Sequence, residues 1–299
     1  MVGQVFRDAR PAVDRSDTGS DIGIITVDDA AVFDRRTCAF ALLLCQLLLA
    51  SHVFTFKLRK GSRGMEQGSS EWLDMRSRHA ITWSRGADAL GIGYNSRSAY
   101  MREKLGITPP PEANWRMKEG NRREPWVAEL YLRIMGWCKV DVELAVDAFR
   151  SDPSDTRMGG SPDRIVIDKK TGERWLLEIK TCPGGDMRTE IPVSHLVQML
   201  GLCHTYNLHK AHYICHSQGQ GILLSEIYYH PKLWEYLAPK FRSFCDSWSI
   251  RAVPGRMDSK EKQEILDMVK RYSFISEINC VTAKRLQREQ QLRSPSSPC

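Results

Sequence analysis

Three charged side chains lie in or beside two short apolar segments of the sequence. Asp163 precedes the apolar segment 164–168, and Glu178 and Lys180 lie within the apolar segment 174–181. Apolar strands usually bury their side chains, and a buried charge requires a charged partner or a metal ion. These residue types in these positions therefore indicate a site and not an ordinary structural strand.

The turn between the two segments determines which residues face each other. If the turn is centred between positions 170 and 171, Asp163 lies directly opposite Glu178. Opposed residues of two antiparallel strands have Cβ atoms about 4.5–5.5 Å apart. Glu178 and Lys180 are two residues apart and share one face of their strand. The three side chains are therefore predicted to converge.

Two carboxylates at this separation repel each other unless a divalent cation binds both. Oxygen ligands suit Mg²⁺ or Mn²⁺ better than zinc. Mg²⁺ keeps several bound waters, one of which can become a nucleophile, and Lys180 can orient this water or neutralise charge on a phosphate. These groups are suited to phosphodiester hydrolysis. The alternative interpretation is a surface hairpin with a solvated ion pair.

A second group of potential metal ligands lies further along the chain. It comprises Cys203, His204, His209, His212, Cys215 and His216. Zinc binding is one interpretation, but no pairing in the group has zinc-finger spacing. We favour the alternative, in which a helix end and a following strand carry ligand-type residues by coincidence.

The hydrophobic periodicity predicts the elements that position these residues. Helices are predicted within the region 69–136 and over 193–207, 231–248 and 259–272. Strands are predicted over 140–149, 164–168, 174–181, 211–216 and 221–229. This order of helices and strands predicts an α/β fold with a central mixed β-sheet flanked by helices.

The composition limits the class of protein. The chain of 299 residues is 42% hydrophobic and 26% charged, as in an ordinary globular protein, and its net charge of +7 is compatible with a polyanionic partner. The nine cysteines are scattered and contain no C-x-x-C pair. This pattern excludes a disulfide framework and favours an intracellular protein, in the nucleus or the cytoplasm.

The two ends of the chain are predicted to differ from its middle. Residues 1–65 are expected to form a partly disordered extension, and its segment 38–56 carries no formally charged residue. A membrane span needs about 20 apolar residues, which is close to the length of this segment. Three interpretations of the segment stay open: a membrane anchor, a docked apolar helix and an extension unrelated to the main domain. A membrane is the least favoured of the predicted partners. Residues 249–299 are expected to form a peripheral helix and a disordered tail.

Several separated motifs resemble those of a known family. The residues that carry the resemblance are Glu71, Trp72, Arg76, Ile81, Thr82 and Ser84 (similar to E-W-x₃-R followed by I-T-A-S), Gly120 and Glu124 (similar to a helical G-x₃-E), the stretches GGSPD and LEIKT, and Gln198 on a later helix. In this order, residues 66–248 resemble the YqaJ-type viral recombinase family, the lambda exonuclease-like branch of the PD-(D/E)xK nuclease superfamily. The sequence departs from the family pattern in two respects. Trp83 replaces a usually small residue, and one extra residue separates Arg76 from Ser84.

The resemblance implies a restriction-endonuclease-like core in residues 66–248 and a metal-dependent DNA exonuclease that acts 5′ to 3′ on linear duplex ends in recombination or repair. By position, the implied ligands of two Mg²⁺ or Mn²⁺ ions are Asp163, Glu178, the backbone carbonyl of Ile179, and Glu124. Lys180 and Gln198 complete the implied catalytic set.

The resemblance also implies a phosphate pocket and partners. The pocket would contain Arg76, Ser84 and Ser161. The implied partners are DNA, further copies of the chain in a ring trimer, and a single-strand annealing protein. Ordinary structural roles remain open for Glu124 as a helix N-terminal charge, for Arg76 as a surface ion pair and for Gln198 as a solvated helix residue.

Three other functions remain open at this stage. One is a structure-specific endonuclease of the same superfamily, which would also cut circular DNA. A second is a non-catalytic DNA-binding relic of the fold. A third is an iron–sulfur nuclease, which needs four cysteines, three of them clustered near the C-terminus. Cys245, Cys280 and Cys299 are too far apart in the sequence to favour it.

Overall fold

The structure, a computed structural model, describes residues 69–112, 114–182, 190–217, 221–273 and 275–277. All of them belong to the unit that spans Leu58–Cys299. The apolar segment 38–56 and the tail after residue 277 lie outside the described residues. No helix in the described part of the chain is long and apolar enough to cross a membrane.

Seven α-helices lie within the described residues, close to the predicted positions. They are α1 (Ser70–Ser77), α2 (Gly86–Ala89), α3 (Arg97–Lys104), α4 (Trp115–Trp137), α5 (Val193–Tyr206), α6 (Pro231–Ser249) and α7 (Ser259–Tyr272). Ser69 caps α1, since its hydroxyl oxygen accepts a hydrogen bond from the Trp72 backbone N–H. α4 is one continuous helix that contains Pro125.

Nine strands lie within the same residues. They are β1 (Ile81–Thr82), β2 (Val142–Ala145), β3 (Arg150–Ser151), β4 (Met158–Gly160), β5 (Arg164–Asp168), β6 (Arg174–Cys182), β7 (Lys210–Ser217), β8 (Gly221–Tyr228) and β9 (Ile275–Glu277). Six of them form the main sheet in the order β2-β5-β6-β7-β8-β9. β6 and β7 are parallel and the other neighbouring strands are antiparallel. The predicted central mixed sheet is confirmed.

Helices cover both faces of this sheet. Leu177 and Ile179 of β6 belong to an apolar cluster with buried residues of α4. Leu176 belongs to a second cluster with buried residues of α5. Because successive side chains of a strand point to opposite faces, Glu178 and Lys180 lie on the same face as Leu176, toward α5.

A second sheet, in the order β1-β4-β3, was not predicted from the sequence. β1 and β4 run parallel, and Thr82 pairs with Gly159. These strands are two or three residues long, which is too short to show an alternating pattern. β1 and β4 matter because they position the two serines of the expected phosphate pocket. Ser84 follows β1, and Ser161 follows β4.

Trp83, which departs from the family pattern, is accommodated by two glycines. Its side chain is buried, and its indole Nε1–H donates a hydrogen bond to the Thr205 hydroxyl at 2.8 Å. A Cβ atom at Gly201 would lie 2.3 Å from the Trp83 ring, and one at Gly160 would lie 2.9 Å from it. The Trp83 ring therefore occupies space that is free because Gly201 and Gly160 have no side chains.

The C-terminal helix, which the sequence predicts to be peripheral, packs one face against the core. Ile265 and Val269 of α7 are fully buried in the cluster on the α5 side of the sheet. They are four residues apart and so share one face of the helix. β9 then pairs with β8. The predicted domain boundary at residue 248 stays a prediction.

Candidate active site

The hairpin of β5 and β6 has the predicted register. Arg164 pairs with Leu177, so position 163 lies opposite position 178. Asp163 immediately precedes β5, and its Oδ2 accepts a hydrogen bond from the Ile179 backbone N–H at 2.7 Å. The Asp163 carboxylate therefore takes the place of a main-chain carbonyl as the hydrogen-bond acceptor at the end of the β5–β6 pairing. This hydrogen bond holds it beside Glu178.

Glu178 is a fully buried carboxylate with one oxygen left without a partner. Its Oε1 accepts hydrogen bonds from the Lys180 ammonium and from Gln198 Nε2, the latter at 2.6 Å. Its Oε2 is buried and has no hydrogen-bond partner. Burial, and then repulsion by Asp163, raise the pKa of Glu178 to about 7. Burial and the repulsion by Asp163 both indicate that additional positive charge beside Glu178 would stabilise its ionised carboxylate.

Lys180 lies at the open side of this pair. Its side chain is 28% exposed, whereas that of Glu178 is 0% exposed. Burial lowers the pKa of Lys180, but attraction by Glu178 and Asp163 outweighs it, so the pKa is raised overall. Lys180 therefore stays protonated at any ordinary pH and can serve as a permanent hydrogen-bond donor.

Glu124 reaches the site from α4. Its Oε1 accepts a hydrogen bond from Arg164 Nη1 at 2.7 Å, and the same nitrogen also donates to the Asp163 carbonyl. Burial, and then repulsion by Asp163, raise the pKa of Glu124. The helix approaches β6 closely at Gly120, where a Cβ atom would lie 3.3 Å from the Thr181 hydroxyl oxygen. Arg164 was not singled out from the sequence, because an arginine at a strand start has no motif of its own.

These residues fit a hard divalent cation. The unpartnered Glu178 oxygen and the charge repulsion that Asp163 and Glu124 exert on it would both be relieved by a cation. Within the described residues, no three His, Cys, Asp or Glu side chains form a compact metal-binding group. That finding is compatible with Mg²⁺, which is commonly held by one or two carboxylates and keeps several waters.

Arg76 and Ser84, two residues of the expected phosphate pocket, lie within hydrogen-bonding distance of each other. Arg76 Nη2 donates hydrogen bonds to the Ser84 hydroxyl at 3.0 Å and to the Thr82 hydroxyl at 3.3 Å. The Arg76 guanidinium lies 4.3 Å from the centre of the Trp72 ring, and burial lowers its pKa. No carboxylate binds this guanidinium in the described part of the chain, which distinguishes it from a surface ion pair.

Ser161 follows β4 at the position that corresponds to the position of Ser84 after β1. Thr82 pairs with Gly159, and Ser84 and Ser161 each lie two residues further along at the same end of this parallel pair. Ser161 is half-buried. Among the described hydrogen bonds, none joins Arg76 to Ser161, so the structure brings the two serines to one edge without closing the pocket.

Lys104 is a further cation beside Arg76. Its Nζ donates a hydrogen bond to the Arg76 carbonyl oxygen at 3.1 Å. Burial, and then repulsion by Arg76, lower the pKa of Lys104 to about 8. Two crowded cations of this kind would be stabilised by an anion. Lys104 lies in the polar sequence RSAYMREK of α3, where lysine is common, so no sequence signal could distinguish it.

The histidines and cysteines of the second candidate group do not gather around one point. His212 is buried and bonds Tyr131 and Glu226, and His204 bonds Tyr229. Together with the lack of a compact ligand group in the described residues, this arrangement gives no support to zinc binding.

Comparison with known proteins identifies the family. The family model described as the YqaJ-like viral recombinase domain matches residues 71–220. The chain belongs to this family. The YqaJ-like match includes every predicted site residue, from Arg76 to Gln198. No significant match was found among curated proteins.

Solved structures similar to this YqaJ-like chain include two of one enzyme. They are the crystal structure of an alkaline exonuclease (LHK-Exo) from Laribacter hongkongensis and that of LHK-Exo in complex with dAMP. Each comparison gives 21% sequence identity and a TM-score of 0.49, and covers 61% of this chain and 93% of the solved chain. Membership of the family is shown by the match over residues 71–220.

Proposed function

We propose that this YqaJ-like protein is a divalent-metal-dependent deoxyribonuclease that digests linear duplex DNA from its ends, 5′ to 3′, in recombination or repair. The observation that carries the proposal is the buried Glu178 carboxylate, which is held by Lys180 and Gln198, faces Asp163 and keeps one oxygen unpartnered. Lys180 supplies one positive charge, to Oε1, while the unpartnered Oε2 and the neighbouring Asp163 carboxylate would be stabilised by a second one. We assign the activity to residues 66–248.

The implied Mg²⁺ or Mn²⁺ ions would be held by this chain's oxygen atoms. Asp163, Glu178 and the Ile179 carbonyl would hold one ion, and Glu124 would support a second. A bound ion of this kind lowers the pKa of a coordinated water and withdraws electron density from a phosphoryl oxygen. The hydrogen bond from the Ile179 N–H to Asp163 keeps two of these ligands in fixed relative positions.

The remaining residues of the site orient and stabilise charge. Lys180, protonated and partly exposed, can donate a hydrogen bond to an attacking water or to a phosphate oxygen on which negative charge develops. Gln198 Nε2 holds Glu178 Oε1 and so directs the other carboxylate oxygen into the site.

The phosphate at the end of the digested strand would bind at Arg76. The guanidinium offers several N–H donors in a planar fork that matches phosphate oxygens. Ser84 and Ser161 add hydroxyl donors from the same edge, and Lys104 adds a second positive charge. A terminal phosphate held there would select 5′-phosphorylated ends.

The activity can be tested on end-labelled linear duplex DNA with Mg²⁺ and with a chelator. We expect nucleotide release from linear DNA only with the metal, and no cutting of a closed circle. Cutting of the circle would favour a structure-specific endonuclease. Binding without cleavage of either substrate would show a non-catalytic relic, and iron absorbance in the purified protein would indicate an iron–sulfur nuclease.

Two substitutions test the catalytic assignment. Asp163→Asn keeps an oxygen that can accept from the Ile179 N–H, so the hairpin should persist, and Lys180→Ala removes the ammonium group together with its methylene chain and its ion pair with Glu178. We expect each to abolish detectable cleavage while duplex binding persists. Asp168→Asn, in the turn of the same hairpin, is the matched control and should stay active. Equal loss of binding and cleavage in both variants would contradict catalytic roles.

A further inference from the structure

A cavity lined by charged and apolar side chains lies among the helices. Its volume is about 270 Å³, which is the volume of about nine water molecules at about 30 Å³ each. Residues at the end of α2, at the starts of α3 and α7 and in the middle of α6 line it. None of the described residues that line it belongs to β5, to β6 or to the predicted phosphate pocket. We call it the α3–α6 cavity.

Arg97, the first residue of α3, brings a positive charge to the cavity. Its Nε is buried and has no hydrogen-bond partner among the described residues. Its Nη2 donates to the Ser243 hydroxyl at 3.4 Å, which is longer than an ordinary N–H···O hydrogen bond of about 2.7–3.2 Å. In the described part of the chain no carboxylate accepts a hydrogen bond from Arg97, and burial lowers its pKa. An anion beside Arg97 would therefore stabilise the charged guanidinium.

The turn before α3 fixes the position of Arg97. Ser96 caps the helix, since its hydroxyl oxygen accepts a hydrogen bond from the Ala99 backbone N–H at 3.1 Å. The Asn95 backbone N–H donates to the buried carboxylate of Asp88 at 3.0 Å. These two hydrogen bonds hold the backbone on either side of Arg97, so the wall that carries its guanidinium is formed before a ligand binds.

The second cation of the cavity already has a partner. Lys240 of α6 forms an ion pair with Glu261 of α7, in which Nζ and Oε1 are 3.1 Å apart. Attraction by Glu261 offsets only part of the effect of burial on the pKa of Arg97. Two cations and one carboxylate leave the cavity with a net positive charge, and this charge lies at Arg97.

Apolar side chains complete the wall of the cavity. Leu90, which follows α2, is buried, and Met257, which precedes α7, is half-buried. Leu90 belongs to the apolar cluster on the α5 side of the sheet, and Met257 packs against that cluster. A ligand that fills the cavity would therefore need an apolar surface as well as an anionic group.

We propose that the α3–α6 cavity binds a small organic anion in which a carboxylate or phosphate group is attached to an apolar body. The anionic group would accept hydrogen bonds from the planar Arg97 guanidinium and from the Ser243 hydroxyl. The apolar body would contact Leu90 and Met257. The volume of the cavity suits a molecule of the size of benzoate or phenyl phosphate. This site does not depend on the proposed nuclease activity, because its residues lie outside the proposed active site.

The first test is isothermal titration calorimetry of the full-length chain with benzoate and with phenyl phosphate. We expect at least one of them to bind with a dissociation constant on the order of 1 mM, which is ordinary for a ligand of about ten non-hydrogen atoms. The preference between the two probes distinguishes a carboxylate ligand from a phosphate ligand. Each titration is repeated with Arg76→Ala, which removes the predicted phosphate pocket, and the binding should persist.

Two further probes each lack one half of the proposed ligand. Phenol has no anionic group, and inorganic phosphate has no apolar body. In the Arg76→Ala protein, each should bind at least about ten-fold more weakly than the better organic anion, because one set of contacts is missing. Binding of phenol or of inorganic phosphate that equals the binding of the organic anion would contradict the proposal.

Three substitutions place the bound probe. Arg97→Gln removes the positive charge and should weaken binding by at least about ten-fold, with unchanged circular dichroism. Ser243→Phe places a large side chain at an exposed position of the wall and should abolish binding by filling the cavity. Arg102→Gln is the matched control, since Arg102 is an exposed arginine of the same helix, and should leave the dissociation constant unchanged.

Three results would overturn the proposal. Absence of binding of both organic anions to the wild type would show that the cavity holds only solvent or is filled by another part of the chain or by a partner protein. Binding that is lost in Arg76→Ala but kept in Arg97→Gln would place the probe in the predicted phosphate pocket. Binding that is kept in both Arg97→Gln and Ser243→Phe would place it elsewhere on the protein.

Discussion

Arg76 has hydrogen-bonding capacity that its own neighbours do not use. One nitrogen serves two hydroxyl groups, while the guanidinium carries five N–H donors. If Arg76 holds a terminal phosphate, Arg76→Ala should slow digestion of 5′-phosphorylated duplex by roughly ten- to a hundred-fold, the effect of one charged hydrogen bond. Digestion of unphosphorylated ends should already be slow and should change little.

The measurement compares initial rates of wild type and variant on both kinds of end. Arg78→Ala is a matched control, because Arg78 lies on the same stretch, is exposed and pairs with Asp74. Equal slowing of Arg76→Ala on phosphorylated and unphosphorylated ends would remove the phosphate role. Arg76 would then serve to join α1 to β1.

The lowered pKa of Lys104 should make the stability of the folded protein depend on pH. Its folded pKa is about 8, below the ordinary value of 10.5, because of burial and then Arg76. Between these two pH values the unfolded chain holds the proton and the folded chain has lost it. The free energy of unfolding should therefore rise with pH across this window through Lys104.

Lys104→Met should abolish that part of the pH dependence. The check is chemical denaturation of both proteins below, within and above the window, and the difference between them isolates Lys104. Lys118→Met, on the exposed start of α4, should leave the profile of the wild type unchanged. A constant difference between wild type and Lys104→Met at every pH would show that Lys104 has no lowered pKa.

The helix α5 depends on a glycine for its contact with the rest of the fold. A Cβ atom at Gly201 would lie 2.3 Å from the Trp83 ring, so Gly201→Ala should destabilise the protein by about 1–3 kcal/mol through overpacking. Gly136→Ala is the control, since its Cβ would meet nothing within 4 Å and alanine favours a helix by up to about 1 kcal/mol. The denaturation midpoint should fall for Gly201→Ala and rise for Gly136→Ala. Equal shifts would contradict the contact.

The elements with long repeating patterns were predictable, and so was the centre of the site. The β5–β6 hairpin consists of two apolar runs joined by one short polar turn, and the centre of that turn predicts both the register and the meeting of Asp163 with Glu178. β1 and β4 are too short to show a pattern, so the edge that carries Ser84 and Ser161 came only from the resemblance. Lys104 and Arg164 depend on contacts between distant segments, which no local pattern contains.

For the whole molecule, the buried face of α7 ties the C-terminal part to the core. Ile265 is 0% exposed, so Ile265→Ala should lower the free energy of unfolding by about 2–5 kcal/mol. Lys262→Ala, exposed on the same helix, should change it by less than about 0.5 kcal/mol. Chemical denaturation measures both. A negligible effect of Ile265→Ala would show that this face of α7 contributes little to the stability of the fold.

The register of β5 against β6 also makes activity a reporter of correct folding. A slip of β6 by one residue would turn Glu178 and Lys180 into the apolar cluster under α4 and would separate Asp163 from the Ile179 N–H. Such a chain could keep native helix content and yet have no working site. The specific activity of a refolded preparation would then measure the fraction of molecules with the native strand alignment, which helix-sensitive spectroscopy does not distinguish.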